Sequence, residues 1–217
     1  GEPNPLKYPA VGSEFGILDY CGFPKDEAMY LKSWWTDEPV LHIFPHWNLK
    51  GHEGEEIDIW AYSNMDEVEL RVNGKSLGRK QMPRNGHLSW KAVYKPGRVE
   101  ATGYKNGKKV LSKRIETTGE AVRAAAECAY NENDLQVINV SLLDSKGRFV
   151  PDACNEVTIS LGDGITLLGA GNGDPGFKGQ ERPTPGTSPA SFTIPAFNGH
   201  AQFIILNPAA KTVDIRL

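Results

Sequence analysis

Two Asn-Gly pairs, each set between runs of alternating apolar and polar residues, constrain this chain more than any other feature. Asn73-Gly74 follows VELRV and precedes KSLGRK, and Asn106-Gly107 lies between VEATGY and KKVLSKRIE. A two-residue type I′ hairpin turn needs positive φ at both central positions, which Asn and Gly tolerate. The flanking runs, with VLHIF and EIDIWAYS, are rich in β-branched and aromatic residues at a period of two. Ile57, Ile59 and Ala61 then share one side. Strands of this length and spacing predict an antiparallel sandwich ending near Thr118-Gly119.

The pattern restarts with LQVINVSLLD, a turn at SKGR, then EVTISLGD, ITLLGAGNG, SFTIPAFNGHAQFIILN and TVDIRL, which predicts a second sandwich. Within it, GNGDPGFKGQERPTPGTSP is too rich in Gly and Pro for a regular element and is read as a long surface loop. Residues 1–35 differ in texture. Their one helical stretch is DEAMYLKSWW, where Ala28, Leu31 and Trp35 recur at helical spacing. One short helix cannot bury a core unaided, so this segment is expected to pack on something else.

Composition narrows the function classes. A length of 217 residues fits one or two domains, and 39% hydrophobic with 24% charged residues is ordinary for a folded protein. A net charge of -3 offers no clustered basic field for nucleic acid or an anionic membrane. No apolar run reaches the roughly 18 to 20 residues that span a bilayer. The opening GEPNPLKYPAVGSEFG lacks the basic and apolar regions of a secretion signal, and Gly1 is not expected to be a natural start. The three cysteines, Cys21, Cys128 and Cys154, show neither CxxC spacing nor a histidine at metal-ligand spacing. They are read as small buried thiols, with Cys128 and Cys154 the one pair placed to bond within a domain.

Four strings taken together resemble the end of the glycoside hydrolase family 2 β-galactosidases of gut-type bacteria: GEPNP, FGILDYCGFPKD with SWW, HWNLKGHEGEEIDIWAYSNMDEVELRVNGKSLG, and GAGNGDP. The resemblance implies a mainly β chain with two tandem immunoglobulin-like sandwiches, residues 36–119 and 120–217. Residues 1–35 would be the end of a (β/α)8 catalytic barrel, from the loop after its eighth strand through its last helix. The family's chemistry is retaining hydrolysis by two carboxyl groups about 5 to 5.5 Å apart. The resemblance places both upstream of Gly1, so this region is expected to be non-catalytic and to need no cofactor. Its expected partners are the catalytic barrel and, through it, a carbohydrate. A homo-oligomer contact and a periplasmic or extracellular location in a bacterium are further implications. A β-glucuronidase is the nearest alternative parent.

Glu14 sits in S-E-F-G, a string close to one that carries the nucleophile in relatives. The continuation ILDYCGFPKD argues for a loop carboxylate instead, and a barrel of roughly 250 residues cannot fit this chain. Glu2 would lie at the carboxyl end of the last barrel strand, where a substrate contact or a loop-fixing role is open. Trp35, with Trp34 and Trp47, is either a sugar-stacking ring or a packing residue where barrel meets sandwich. A carbohydrate-binding module would instead present Trp47, Trp60 and Trp90 as a solvent-facing row, although Trp60 reads as lying on the core face of EIDIWAYS.

His42, His46 and His52 suggest a metal cluster only superficially, because His42 and His46 would be about 13 Å apart along a strand and Pro45 interrupts it. No metal site is expected there. Glu53, Glu55, Glu56 and Asp58 are read as solvated charge, with calcium a remote alternative. Gly171-Asn172-Gly173-Asp174-Pro175 reads as a structural turn, with a ligand loop as its rival. Asn139 lies in a glycosylation sequon, but within a predicted strand.

Overall fold

The computed structural model describes residues 15–217. It divides into two compact units: Pro24–Thr118 is one, and residues 15–23 with Gly119–Leu217 form the other. The described part of the expected barrel remnant therefore parts at Phe23. Its helix goes with the first sandwich and the stretch before it with the second.

In the first unit a helix, α1 (Asp26–Trp35), precedes seven strands: β1 (Leu41–Phe44), β2 (Glu56–Ser63), β3 (Glu67–Val72), β4 (Lys75–Gln81), β5 (Leu88–Val93), β6 (Arg98–Lys105) and β7 (Lys108–Glu116). They form two antiparallel sheets, β1-β2-β5 and β4-β3-β6-β7, an immunoglobulin-like arrangement. Both Asn-Gly pairs turn as expected, with φ of 50° at Asn73 and Asn106. Alternate residues point inward: Ile59 and Ala61 of β2, Val68 and Leu70 of β3, and Val99 and Ala101 of β6 are all fully buried. The same period of two turns Trp60 outward with Asp58 and Tyr62, so it is not on the core face as its string suggested. Its ring lies half-buried, stacked on His87 at 4.0 Å and 2°.

HWNLK, between β1 and β2, closes this core. Trp47 is fully buried, its Nε1 donates to Lys95 O at 3.1 Å, and its ring meets Tyr94 edge-on at 5.0 Å. Thr117 Oγ1 donates to Trp47 O at 2.6 Å, and Asn48 exchanges two hydrogen bonds with Thr118. The loop thus ties the last strand of the sandwich to its core.

The second unit has β8 (Arg123–Glu132), β9 (Leu135–Leu143), β10 (Glu156–Ser160), β11 (Thr166–Gly171), β12 (Ser191–Pro195), β13 (His200–Leu206) and β14 (Asp214–Arg216). They also form two antiparallel sheets, β11-β13-β9-β8 and β12-β10-β14. Its separate core runs through Val140, Leu142, Val157, Ile159, Ile194, Phe203 and Ile205, each fully buried. SFTIPAFNGHAQFIILN is two strands, because Asn198 (φ 50°) and Gly199 (φ 77°) turn the chain between β12 and β13. Asp144 fixes the start of this sandwich. Its buried carboxylate accepts from the Arg148 guanidinium at 2.6 and 2.9 Å and from the backbone N–H of Arg148, Lys146 and Gly119. The Arg148 guanidinium, helped by those N–H groups, holds its carboxyl well below the usual carboxylate range.

Candidate functional site

The most built surface feature of the second unit is a cradle in GAGNGDP. Strand β11 ends at Gly171, and Asn172, itself buried, is anchored by donating from Nδ2 to Pro195 O at 3.0 Å while its Oδ1 accepts from Asp174 N at 3.1 Å. These bonds hold Gly173 at φ 84°, a left-handed conformation that disfavours any side chain. Residues 15–23 lie against it. A β-carbon on Gly173 would collide with the Asp19 carboxylate, and one on Gly171 would stand 2.8 Å from Cys21 Sγ. The two glycines leave space for two specific side chains of the preceding segment.

That segment is shaped to fit. Asp19 Oδ1 accepts from Cys21 N and Phe23 N, both at 2.9 Å, which folds DYCGF into a tight loop. Gln202 of β13 donates from Nε2 to Cys21 O at 2.9 Å and to Asn139 Oδ1 at 2.9 Å. Phe23 stacks on His200 at 4.3 Å, and Phe149 stacks on the same imidazole at 4.6 Å. His200 Nδ1 lies 3.3 Å from Ser141 Oγ. Burial lowers the His200 pKa, opposed by the Val140 backbone and by Asp19. Burial, reinforced by the Asp19 and Glu181 charges and opposed by the Gly173 N–H, pushes the Cys21 thiol up to about 12. This thiol stays protonated at neutral pH and fills space rather than attacking a substrate.

The residues singled out from the sequence are scattered. Glu2 and Glu14 lie outside the described residues. Trp35, at the end of α1, is 78% exposed, whereas Trp34 is half-buried with its Nε1 unbonded among the described residues. Trp47 and Trp90 are buried in the first core, so a solvent-facing row of Trp47, Trp60 and Trp90 does not form. His42 pairs with Asp26 at 2.6 Å and His52 with Glu55 at 2.8 Å, and His46 Nδ1 accepts from Asn48 N at 3.2 Å. No group of three potential ligands assembles a metal site among the described residues. Glu53, Glu55, Glu56 and Asp58 are exposed, and Glu56 pairs with Lys91 at 2.8 Å.

The cysteines depart from the buried-thiol reading. Cys128 and Cys154 are both exposed and free, and only Cys21 is half-buried. Cys128 lies on the edge strand β8, which is exposed along nearly its whole length, so its side chain stays outside the core. Asn139 lies in β9 as expected, its amide oxygen occupied by Gln202. Asp19, Phe23, Phe149, His200 and Gln202 were not singled out. The one sequence signal for them was the Gly-x-Gly spacing, which announces a close approach without naming the visitor.

Tandem immunoglobulin-like sandwiches, the second holding a preceding segment in a glycine cradle, define a modular β protein. Residues 121–216 match the glycoside hydrolase family 2 C-terminal domain 5, and residues 54–111 match a domain of unknown function (DUF4982). The chain is 42% identical over 182 residues to Beta-galactosidase BoGH2A of Bacteroides ovatus, covering 81% of this chain and 21% of that protein. A putative beta-glucuronidase of Formosa agariphila is 32% identical over 171 residues, covering 74% of this chain and 16% of its own length. A beta-glycosidase from Bacteroides vulgatus superposes with a TM-score of 0.85 at 29% identity, over 96% of this chain and 27% of that one. The chain therefore carries the C-terminal region of glycoside hydrolase family 2. It spans about a fifth of the length of the curated relatives it matches.

Proposed function

We propose that this region is the non-catalytic accessory part of a retaining glycosidase that hydrolyses terminal β-D-galactosides, and that it steadies the catalytic barrel. The supporting observation is the docking of residues 15–23 in the Gly171/Gly173 cradle, a rigid grip on a segment that the family resemblance places just after the eighth barrel strand. Loops at that end of a barrel build the active site, so the second sandwich steadies chemistry that it does not perform. Exposed Trp35 suits the packing role against the barrel. The other expected partner is a carbohydrate reached through the parent enzyme. Periplasmic or extracellular location and a homo-oligomer contact belong to the same reading.

The galactoside preference is favoured by the higher identity to BoGH2A, 42% against 32% for the putative beta-glucuronidase. That second relative makes β-glucuronide the runner-up substrate. The test is hydrolysis of nitrophenyl β-galactoside and β-glucuronide by the 217-residue chain, with Glu14→Gln beside it, and by the same chain joined to a catalytic barrel. Turnover only in the joined protein, with the galactoside faster, is expected. Turnover by the chain alone that disappears in Glu14→Gln would overturn the accessory role.

A further inference from the structure

A cavity of about 380 Å³ opens beside the cradle, within the second unit. Its walls come from strand β11 and three other sources. Tyr20 belongs to the docked segment; Asp174, Phe177, Glu181 and Arg182 to the loop after β11; Gln202 to β13. The loop is long and irregular, yet this part of it is pinned. Ala170 N donates to Glu181 O at 2.8 Å, which holds Glu181 and Arg182 against β11. Gly176 N donates to Asp174 Oδ1 at 2.7 Å and fixes that carboxylate, and Phe177 packs partly on the sandwich core. Gln202 uses its amide N–H groups on Cys21 O and Asn139 Oδ1, which leaves Oε1 as an acceptor. Neither Glu181 nor Arg182 has an ion-pair partner among the described residues.

We infer that this cavity is a saccharide-binding subsite. Its volume is at the small end of the about 300–1,000 Å³ typical of ligand pockets, which suits one or two sugar rings. A pyranose needs donors, acceptors and an apolar surface together. Arg182 donates, Asp174, Glu181 and Gln202 accept, and Phe177 and Tyr20 supply ring surface for the C–H face of the sugar. Two carboxylates against one guanidinium disfavour an anionic ligand, so the subsite takes neutral sugars ahead of uronic acids. It uses none of the tryptophans. The choice of a saccharide over another small polyhydroxy compound rests on the glycosidase reading above.

The test is to titrate galactose, glucose and glucuronate separately into the 217-residue chain and follow the backbone amides of Gly169, Gly171 and Gln202 by NMR. Saturable shifts with millimolar galactose or glucose, and weaker ones with glucuronate, are expected. Phe177→Ala and the exposed Arg182→Ala should each weaken binding by about tenfold, equivalent to about 1.4 kcal/mol, while β9 and β10 amides show the sandwich intact. No saturable shift from any of the three sugars, or shifts unchanged in both variants, would overturn the subsite while leaving hydrolysis by the joined protein untouched. Sugar binding retained in a protein whose barrel hydrolyses neither nitrophenyl glycoside would support the subsite and count against the glycosidase reading instead.

Discussion

The two sandwiches hold the chain that precedes them in different ways. The first receives α1 through a broad contact: Tyr30 meets Tyr62 edge-on at 5.2 Å and its hydroxyl donates to Asn85 O at 2.8 Å, on a sheet face that also carries Phe44 and Trp60. Broad aromatic packing tolerates small rearrangements, because many weak contacts share the load. The second sandwich grips residues 15–23 by backbone proximity, at glycines where one added methyl has nowhere to go. Close approach gives a fixed position and little tolerance. The first unit should therefore fail through its core, and the second through its cradle.

The largest expected effect is in the first core. Trp47→Ala removes a fully buried ring and the acceptor-bound Nε1, and should cost about 3–5 kcal/mol of unfolding free energy, read by urea denaturation. A smaller loss there would place the closing role elsewhere in the loop. Next comes the cradle, where Gly173→Ala adds a left-handed alanine and displaces Asp19. It should cost about 1–3 kcal/mol and speed proteolysis within residues 15–23, leaving the melting of the first unit unchanged. Tyr30→Phe, which loses only the hydroxyl bond to Asn85, should cost about 0.5–1.5 kcal/mol and sharpen the contrast if α1 stays docked.

The remaining effects are those of pH, and both fall in the second unit. His200 has its folded pKa lowered by burial, so the unfolded or undocked form takes a proton first. Its contribution is complete above the unfolded value of about 6.5 and is lost as pH falls from there through the folded value. Phe23 should loosen first on mild acidification, and His200→Gln should flatten that dependence in a pH series of limited proteolysis. Asp144, also lowered, contributes above the unfolded value of about 3.9 and loses that contribution only as pH falls through its folded value. Asp144→Asn should remove this second, more acidic phase.

Much of the fold was readable because it depends on local signals. The Asn73-Gly74 and Asn106-Gly107 turns and the period of two in β2, β3 and β9 are written within a few residues. One misreading has a local cause as well. Trp60, expected on the core face of EIDIWAYS, is out of phase with the buried Ile59 and Ala61, so the same period of two turns it outward. The cradle was different in kind. Gly171 and Gly173 stand out in the sequence, but Gln202 and Cys21 are 181 positions apart, and no periodicity links them. A motif can show that something comes close to a backbone, and only the fold shows what it is.

The most direct test of the clamp is amide hydrogen exchange at Cys21 and Phe23, whose N–H groups donate to Asp19, compared between the unaltered chain and Gly173→Ala. The account predicts slow exchange at both amides, lost in the variant while Val140 and Phe203 stay protected. Exchange at Cys21 and Phe23 that is equally slow in both proteins, or already fast in the unaltered chain, would contradict it.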